Sequence, residues 1–258
     1  MAADAARATP HLGVIGGTGL DTAPGLEVLR DEAVDTPWGV PSAPVQVARL
    51  DGWPIAFVPR HGRAHEYPPH AVNYRANLWA LRRVGVSRVI AINAVGSIAQ
   101  WFEPGRLALP DDLVDYTWGR PHSCWNGPDD DAQHVEFTRP IDPVLRARLI
   151  AAGRSLETPP LDGGVYGVTQ GPRLETAAEV RRLRRDGCDM VGMTLMPEAG
   201  IARELGLEYA CIAFSVNWAA GCGTLALHDE MSQHLERGAA TAVALLRAAL
   251  PAVADGEL

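Results

Sequence analysis

Val89-Ile90-Ala91-Ile92-Asn93, running directly into Ala94-Val95-Gly96-Ser97, is the stretch on which the fold turns. Its first five residues form a short apolar run of the kind that builds a buried strand. The four that follow are small, which suits a loop where a ligand lies against bare backbone. In open α/β folds that position, the C-terminal edge of the sheet, is where ligands bind.

Working outward, the same alternation repeats. His11 to Ile15 reads as a strand, followed by the loop Gly16-Gly17-Thr18-Gly19. Val45 to Leu50 and Pro54 to Val58 flank Asp51-Gly52, a hairpin signal. The spacing predicts a helix over Pro69 to Val84, with Val72, Ala76, Trp79 and Arg83 on one stripe and Gly85 as its stop. Leu107 to Val114 reads as extended, and Trp118 to Phe137 as a long functional loop rich in Gly, Pro, Asp and Asn. Helices are expected at Pro143 to Ala152, Thr176 to Asp186, Pro197 to Leu205 and Asp229 to Leu250. Strands are expected at Gly164 to Thr169, Met190 to Met193 and Leu207 to Val216. Strands and helices in alternation imply one α/β domain with a central sheet between helices. That domain is expected over residues 11–254, with residues 1–10 a disordered N-terminal extension.

Composition narrows the function. The chain has 258 residues, 47% of them hydrophobic, enough for one substantial core. A net charge of -8 without a basic run argues against a nucleic-acid partner. No apolar run reaches the ~20 residues that cross a membrane, and the Ala-rich start lacks the apolar core of a signal peptide. Cys124, Cys188, Cys211 and Cys222 form neither a CxxC pair nor a zinc pattern, so reduced thiols in a cytoplasmic protein are expected.

Five segments carry polar groups at strand or helix ends. Gly16-Gly17-Thr18-Gly19 brings backbone and a hydroxyl close to an anion, though it matches neither GxGxxG nor a Walker A loop. Pro59-Arg60-His61-Gly62-Arg63-Ala64-His65 sets two cations and two imidazoles after a strand, and Arg presents a fork suited to phosphate oxygens. Asn93-Ala94-Val95-Gly96-Ser97 is the third segment. In the fourth, Gly171-Pro172 turns the chain, and Thr176 with Glu179 forms a capping box. The fifth, Gly192 to Glu198, places the Thr194 hydroxyl near a helix start. Each alone also suits an ordinary turn, cap or charged loop. At the end of the last strand, Asn217 offers a carbonyl acceptor and an NH2 donor side by side.

Taken in order, Gly16-Gly17-Thr18-Gly19-Leu20, Pro59-Arg60-His61-Gly62, Val72-Asn73-Tyr74-Arg75-Ala76-Asn77, Gly171-Pro172-Arg173 and Met193-Thr194-Leu195-Met196-Pro197-Glu198 resemble the trimeric purine nucleoside phosphorylase family. The nearest branch is that of the 5′-methylthioadenosine and methylthioinosine phosphorylases. The resemblance runs from Gly13 to Leu250. It implies a single α/β domain around a mixed, barrel-like sheet flanked by helices, assembled as a homotrimer. The implied reaction is reversible phosphorolysis of a purine nucleoside, with no metal or organic cofactor and inorganic phosphate as co-substrate.

Residue by residue, Thr18, Arg60, His61, Asn93, Ala94 and Thr194 fall on phosphate positions of the family, Asn93 through its backbone alone. Met193 falls on a ribose contact, and Leu174 stands where the family often has an aromatic against the base. Asn217, Trp218 and Ala219 fall on the base-recognition segment, with Asn217 the group that stabilises the leaving base. His134 matches a contribution from a neighbouring subunit, and His228 and Met231 shape the 5′ pocket. Adenosine-type members carry an Asp where this chain has Asn217 and a second where it has Ala219. A neutral amide complements a 6-oxo group, whereas an acceptor-only carboxylate complements a 6-amino group. The expected substrate is therefore a 6-oxopurine nucleoside, S-methyl-5′-thioinosine by branch and by the soft thioether surface of Met231. An adenine-preferring methylthioadenosine phosphorylase, an inosine/guanosine phosphorylase and a non-catalytic nucleoside-binding protein are the alternatives.

Overall fold

In the computed structural model, which describes residues 9–17, 24–125, 127, 134–225 and 227–254, one strand organises the sheet. This is β5 (Arg88–Ser97), ten residues long. Its first half pairs in parallel with β1 (Leu12–Gly16), from Leu12 opposite Arg88 to Ile15 opposite Ala91. Its last two residues pair antiparallel with β10 (Met190–Gly192). Along the opposite edge β11 (Glu208–Trp218) pairs with it in parallel over its whole length, through a bulge between Ser215 and Asn217. The small residues Ala94 to Ser97 thus continue the strand rather than form the expected loop. Pairing on β11 and β10 overrides their weak intrinsic preference for extended structure.

Outside this centre, β1 pairs with β4 (Trp53–Pro59), β4 with β3 (Val45–Leu50), and β3 with the edge strand β2 (Leu26–Glu32). The β3–β4 hairpin turns at Asp51 and Gly52, both at positive φ (48° and 88°), as the Asp-Gly signal predicts. On the other side β10 pairs with β9 (Val165–Val168), and β9 with β7 (Asp112–Asp115). The extended stretch expected at Leu107 to Val114 is broken into β7 and β6 (Leu107–Leu109). β6 joins β11 and β8 (Leu161–Asp162). The result is the expected mixed sheet, eleven-stranded among the described residues and branched at β5.

Five α-helices flank it among the described residues. α1 (Tyr74–Arg83) starts five residues later than the expected Pro69, after a separate 3-10 turn over Pro69–Ala71, because Asn73 caps it by accepting from the Ala76 N–H. Its buried face is Tyr74, Asn77, Leu78 and Leu81, while Arg83 is exposed, and Gly85 ends it at φ 106°. α2 (Pro143–Gly153) is capped by Asp142. α3 (Ala177–Arg185) begins in the capping box of Thr176 and Glu179, both halves of which form. α4 (Leu195–Glu204) contains an extended Met196 (φ -110°, ψ 139°), so its continuous helix begins at Pro197 as expected. α5 (Leu227–Val253) packs along β11 and against α2. Gly238 makes that approach possible: a Cβ there would stand 2.6 Å from Cδ2 of Phe214.

Candidate active site

The branching of the sheet creates the site. Ile92 to Val95 have β11 on one edge, but β1 has already left the other edge and β10 has not yet joined. Into this seam come the C-terminal ends of β1, β4, β10 and β11, together with one face of α5. They enclose a cavity of about 530 Å³, in the range of small-molecule sites. Gly16, Arg60, His61, Asn93, Ala94, Leu174, Met193, Thr194, Asn217, Ala219 and Met231 all line it, so residues up to about two hundred positions apart share one wall. Thr18 lies outside the described residues.

At one end stand the residues expected to meet phosphate. The Arg60 guanidinium is buried, and most of its fork is already engaged. Nε and Nη2 donate to Oε1 and Oε2 of Glu198 at 2.9 and 3.0 Å, Nη2 also to the Ile15 carbonyl at 3.4 Å, and Nη1 to the Ile92 carbonyl at 3.2 Å. Of five N–H donors, one on Nη1 is left. The bidentate face expected to meet a ligand is therefore turned to Glu198, itself 1% exposed and bonded to the Tyr209 hydroxyl at 2.8 Å. Burial alone would lower the Arg60 pKa, but Glu198 more than offsets it and the net shift is upward. The sequence marks Glu198 only as the end of a motif; its pairing with Arg60 was not legible because the two lie 138 residues apart.

His61 Nδ1 lies 2.8 Å from the Tyr67 carbonyl. A carbonyl only accepts, so Nδ1 carries the hydrogen and Nε2 presents a lone pair. Burial and the Arg60 charge pull its pKa down to about 4, which keeps the ring neutral near pH 7. A neutral Nε2 is an acceptor for the protonated oxygen of hydrogen phosphate. Thr194 is buried, and its hydroxyl makes no cap bond, so it is not consumed by the helix it precedes. The extended Met196 separates Thr194 from the continuous helix, so the hydroxyl rather than a helix terminus is what it offers. Asn93 is 2% exposed, and neither Oδ1 nor Nδ2 has a hydrogen-bond partner. Those atoms are sealed from solvent on the side of the strand that holds Tyr166, while the next residue, Ala94, is the exposed one, so Asn93 meets the cavity through its backbone.

At the other end, Asn217 is 6% exposed, and its NH2 donates to the Trp218 carbonyl at 2.6 Å. That acceptor fixes which end of the amide is nitrogen and leaves one N–H and the carbonyl oxygen for a ligand. Ala219 lines the same wall, and Leu174 faces them as an apolar surface. Trp218 does not line the cavity. Strand alternation turns it away from Asn217 and Ala219, against Gly223, where an added Cβ would stand 2.7 Å from Trp218 Cβ. Its contribution is its backbone: the N–H donates to Glu230 Oε2 at 2.8 Å, tying the end of β11 to α5. Sequence reading also missed Glu175, the one carboxylate among the described residues lining the cavity. Its Oε1 accepts from the Thr169 hydroxyl at 2.6 Å. It stands next to Leu174 in the Gly171-Pro172-Arg173 loop, and that adjacency was the available signal.

The third wall is apolar. Leu227, Met231, Leu235, Ala239 and Val243 recur every four residues on α5 and line the cavity with Phe214 and Val216. Met231 is where the sequence places it. His228 is exposed and does not line the cavity, because one residue along the helix turns it about 100° from the Leu227–Met231 stripe. His134 is exposed and likewise lies off this chain's own cavity.

Known proteins resemble this chain along nearly its whole length. Residues 11–251 match the Phosphorylase superfamily. The chain is 53% identical over 212 residues to a probable S-methyl-5′-thioinosine phosphorylase of Xanthomonas campestris pv. campestris, covering 82% of this chain and 85% of the relative. It is 40% identical over 250 residues to a 6-oxopurine nucleoside phosphorylase of Pyrococcus furiosus, covering 95% and 93%. The crystal structure of a methylthioadenosine phosphorylase from an antarctic soil metagenomic library superposes with a TM-score of 0.86 at 31% identity, over 93% of this chain and 85% of the other. A match across almost the whole length establishes that the chain belongs to the Phosphorylase superfamily.

Proposed function

We propose that the protein cleaves S-methyl-5′-thioinosine with inorganic phosphate, giving hypoxanthine and 5-methylthioribose 1-phosphate. The observation that carries the base assignment is the neutral amide of Asn217, tethered through its NH2 to the Trp218 carbonyl beside an uncharged Ala219. So held, its oxygen accepts from N7–H of the departing base and its second N–H donates to O6. A 6-oxopurine also carries a hydrogen on N1, and the Glu175 carboxylate is an acceptor-only group on the same wall. An adenine offers no hydrogen at N1 and needs an acceptor opposite its 6-amino group.

The 5′ assignment rests on the α5 stripe, whose five cavity-lining residues are all apolar. A methylthio group gains from that surface, and the Met231 thioether adapts to it. A 5′-hydroxyl would lose its hydrogen bond with water there.

In this reading the C1′–N9 bond breaks with its electron pair passing to the purine, which takes up a proton from water at N7, and a phosphate oxygen bonds to C1′. The last Nη1 hydrogen of Arg60, the Thr194 and Thr18 hydroxyls and the Asn93–Ala94 segment hold the anion, while His61 Nε2 accepts a hydrogen bond from its protonated oxygen. Met193 flanks the ribose. Phosphate also balances positive charge developing on the sugar, so catalysis is positioning and preorganised electrostatics. The reaction requires no metal or organic cofactor. We also propose a homotrimer in which His134 of one subunit approaches a neighbour's site, with the exposed Trp118 and Trp125 in the same segment offering apolar contact area. A cytoplasmic location accords with four unpaired cysteines and with the lack, among the described residues, of a helix long and apolar enough to cross a membrane. Phosphate-dependent release of hypoxanthine from methylthioinosine tests the activity, and none from a folded, phosphate-saturated sample would overturn it.

A further inference from the structure

We infer that Arg120 is a positioning residue for this reaction: it holds the ribose and phosphate wall of the cavity in register with the base wall. The inference rests on the function proposed above. Arg120 opens the long loop that begins at Trp118, and it is 5% exposed. Its guanidinium reaches two separate segments. Nη1 donates to the carbonyls of Met193 and Met196 at 2.7 and 2.8 Å, on either side of Thr194. Nη2 donates to the carbonyls of Thr169 and Gln170 at 3.2 and 2.7 Å, just ahead of Leu174 and Glu175. Nε donates to Gln170 Oε1 at 3.1 Å, which also accepts from the Trp118 N–H at 3.2 Å. The Tyr74 ring lies 5.8 Å from the guanidinium carbon.

Among the described residues no carboxylate lies within ion-pair distance of Arg120, so its acceptors are neutral: backbone carbonyls, the Gln170 amide oxygen and, from Nη1 at 3.4 Å, the Tyr74 hydroxyl. A buried cation spent on loop carbonyls contributes geometry: its planar fork sets their spacing. One of these segments carries Met193 and Thr194, the other Leu174 and Glu175. Only when they are in register do phosphate, sugar and base meet their partners together, and misplacement by about 1 Å costs on the order of a hundredfold in rate.

The test compares Arg120→Lys, Arg120→Gln and Gln170→Ala with the wild type. It measures kcat, the KM for methylthioinosine and for phosphate, and Tm. Lysine keeps the charge and much of the stem, but its three N–H groups sit on one atom and cannot span both segments. The expected result is a Tm for the Lys variant closer to wild type than that of the Gln variant, with kcat lowered in both by about tenfold to a hundredfold. Gln170→Ala removes one acceptor and is expected to lower kcat less, at unchanged Tm. Wild-type kcat in the Lys variant, or in Gln170→Ala, overturns the inference while leaving the proposed activity standing. A wild-type protein that does not convert methylthioinosine overturns both.

Discussion

Replacing Glu198 by Gln removes one negative charge from the centre of the protein and little else. Glu198 and Arg60 have side chains 1% and 3% exposed and are joined by bonds of 2.9 and 3.0 Å, and Glu198 also accepts from the Tyr209 hydroxyl. Breaking a buried pair by neutralising one partner typically costs about 3–5 kcal/mol, since the other charge stays desolvated. At about 2–4 °C per kcal/mol for a chain of this size, Tm should fall by roughly 6–20 °C. Phosphate should return part of that loss. Any ligand at a hundred times its Kd stabilises by about 2.7 kcal/mol, and in the variant the anion also supplies Arg60 with the counter-charge it lacks. Differential scanning calorimetry with and without phosphate reads both effects. The expected outcome is a lower Tm for Glu198→Gln and a larger upward shift with phosphate than in the wild type. A variant with wild-type Tm, or one on which phosphate acts less than on the wild type, would refute the reasoning that Arg60 faces both Glu198 and the anion.

Other outcomes follow from the same geometry. Asn217→Asp should lower kcat/KM for methylthioinosine by about ten- to a hundredfold, the cost of one mismatched buried pair, and shift preference toward methylthioadenosine; unchanged rates on both would sink the role of the amide. Glu175→Gln should weaken turnover of 6-oxopurine nucleosides by about tenfold while leaving the phosphate KM alone, and a selective rise in phosphate KM would contradict its place on the base wall. His61 gives a pH dependence with a definite sign. Its folded pKa of about 4 lies below the ordinary 6.5, so between those values the unfolded chain binds a proton that the folded one does not. Stability should be fully present above that window and fall with pH through it, and His61→Gln should flatten the slope in a Tm-versus-pH series.

The alternation along the chain makes most of the fold legible in its sequence. Asp51-Gly52, Gly85 and the Thr176–Glu179 box mark their turns and ends because each acts through its immediate neighbours. What escaped depends on distant partners. Ala94 to Ser97 look like a loop because small residues favour strands weakly, yet β10 and β11 hold them extended. β2 shows no clean alternation, since as an edge strand it buries little. Arg60, His61, Asn217 and Met231, which line the cavity, could be picked out as candidates because each sits in a distinctive local segment. Glu198 and Arg120 could not, because their roles consist of bonds across 138 and roughly 46–76 positions. Trp218 and His228 show the limit of segment matching: the segment is right, but strand alternation and helix phase decide which of its side chains faces the cavity.

The central claim is that a neutral amide beside an apolar arm selects a 6-oxopurine carrying a 5′-methylthio group. The measurement that tests it most directly is kcat/KM, at saturating phosphate, for methylthioinosine, methylthioadenosine, inosine and adenosine side by side. The account predicts methylthioinosine first, both adenine compounds at least about tenfold below their hypoxanthine counterparts, and inosine below methylthioinosine. Preference for either adenine compound would contradict the reading of Asn217, and preference for inosine over methylthioinosine would contradict the reading of the α5 wall.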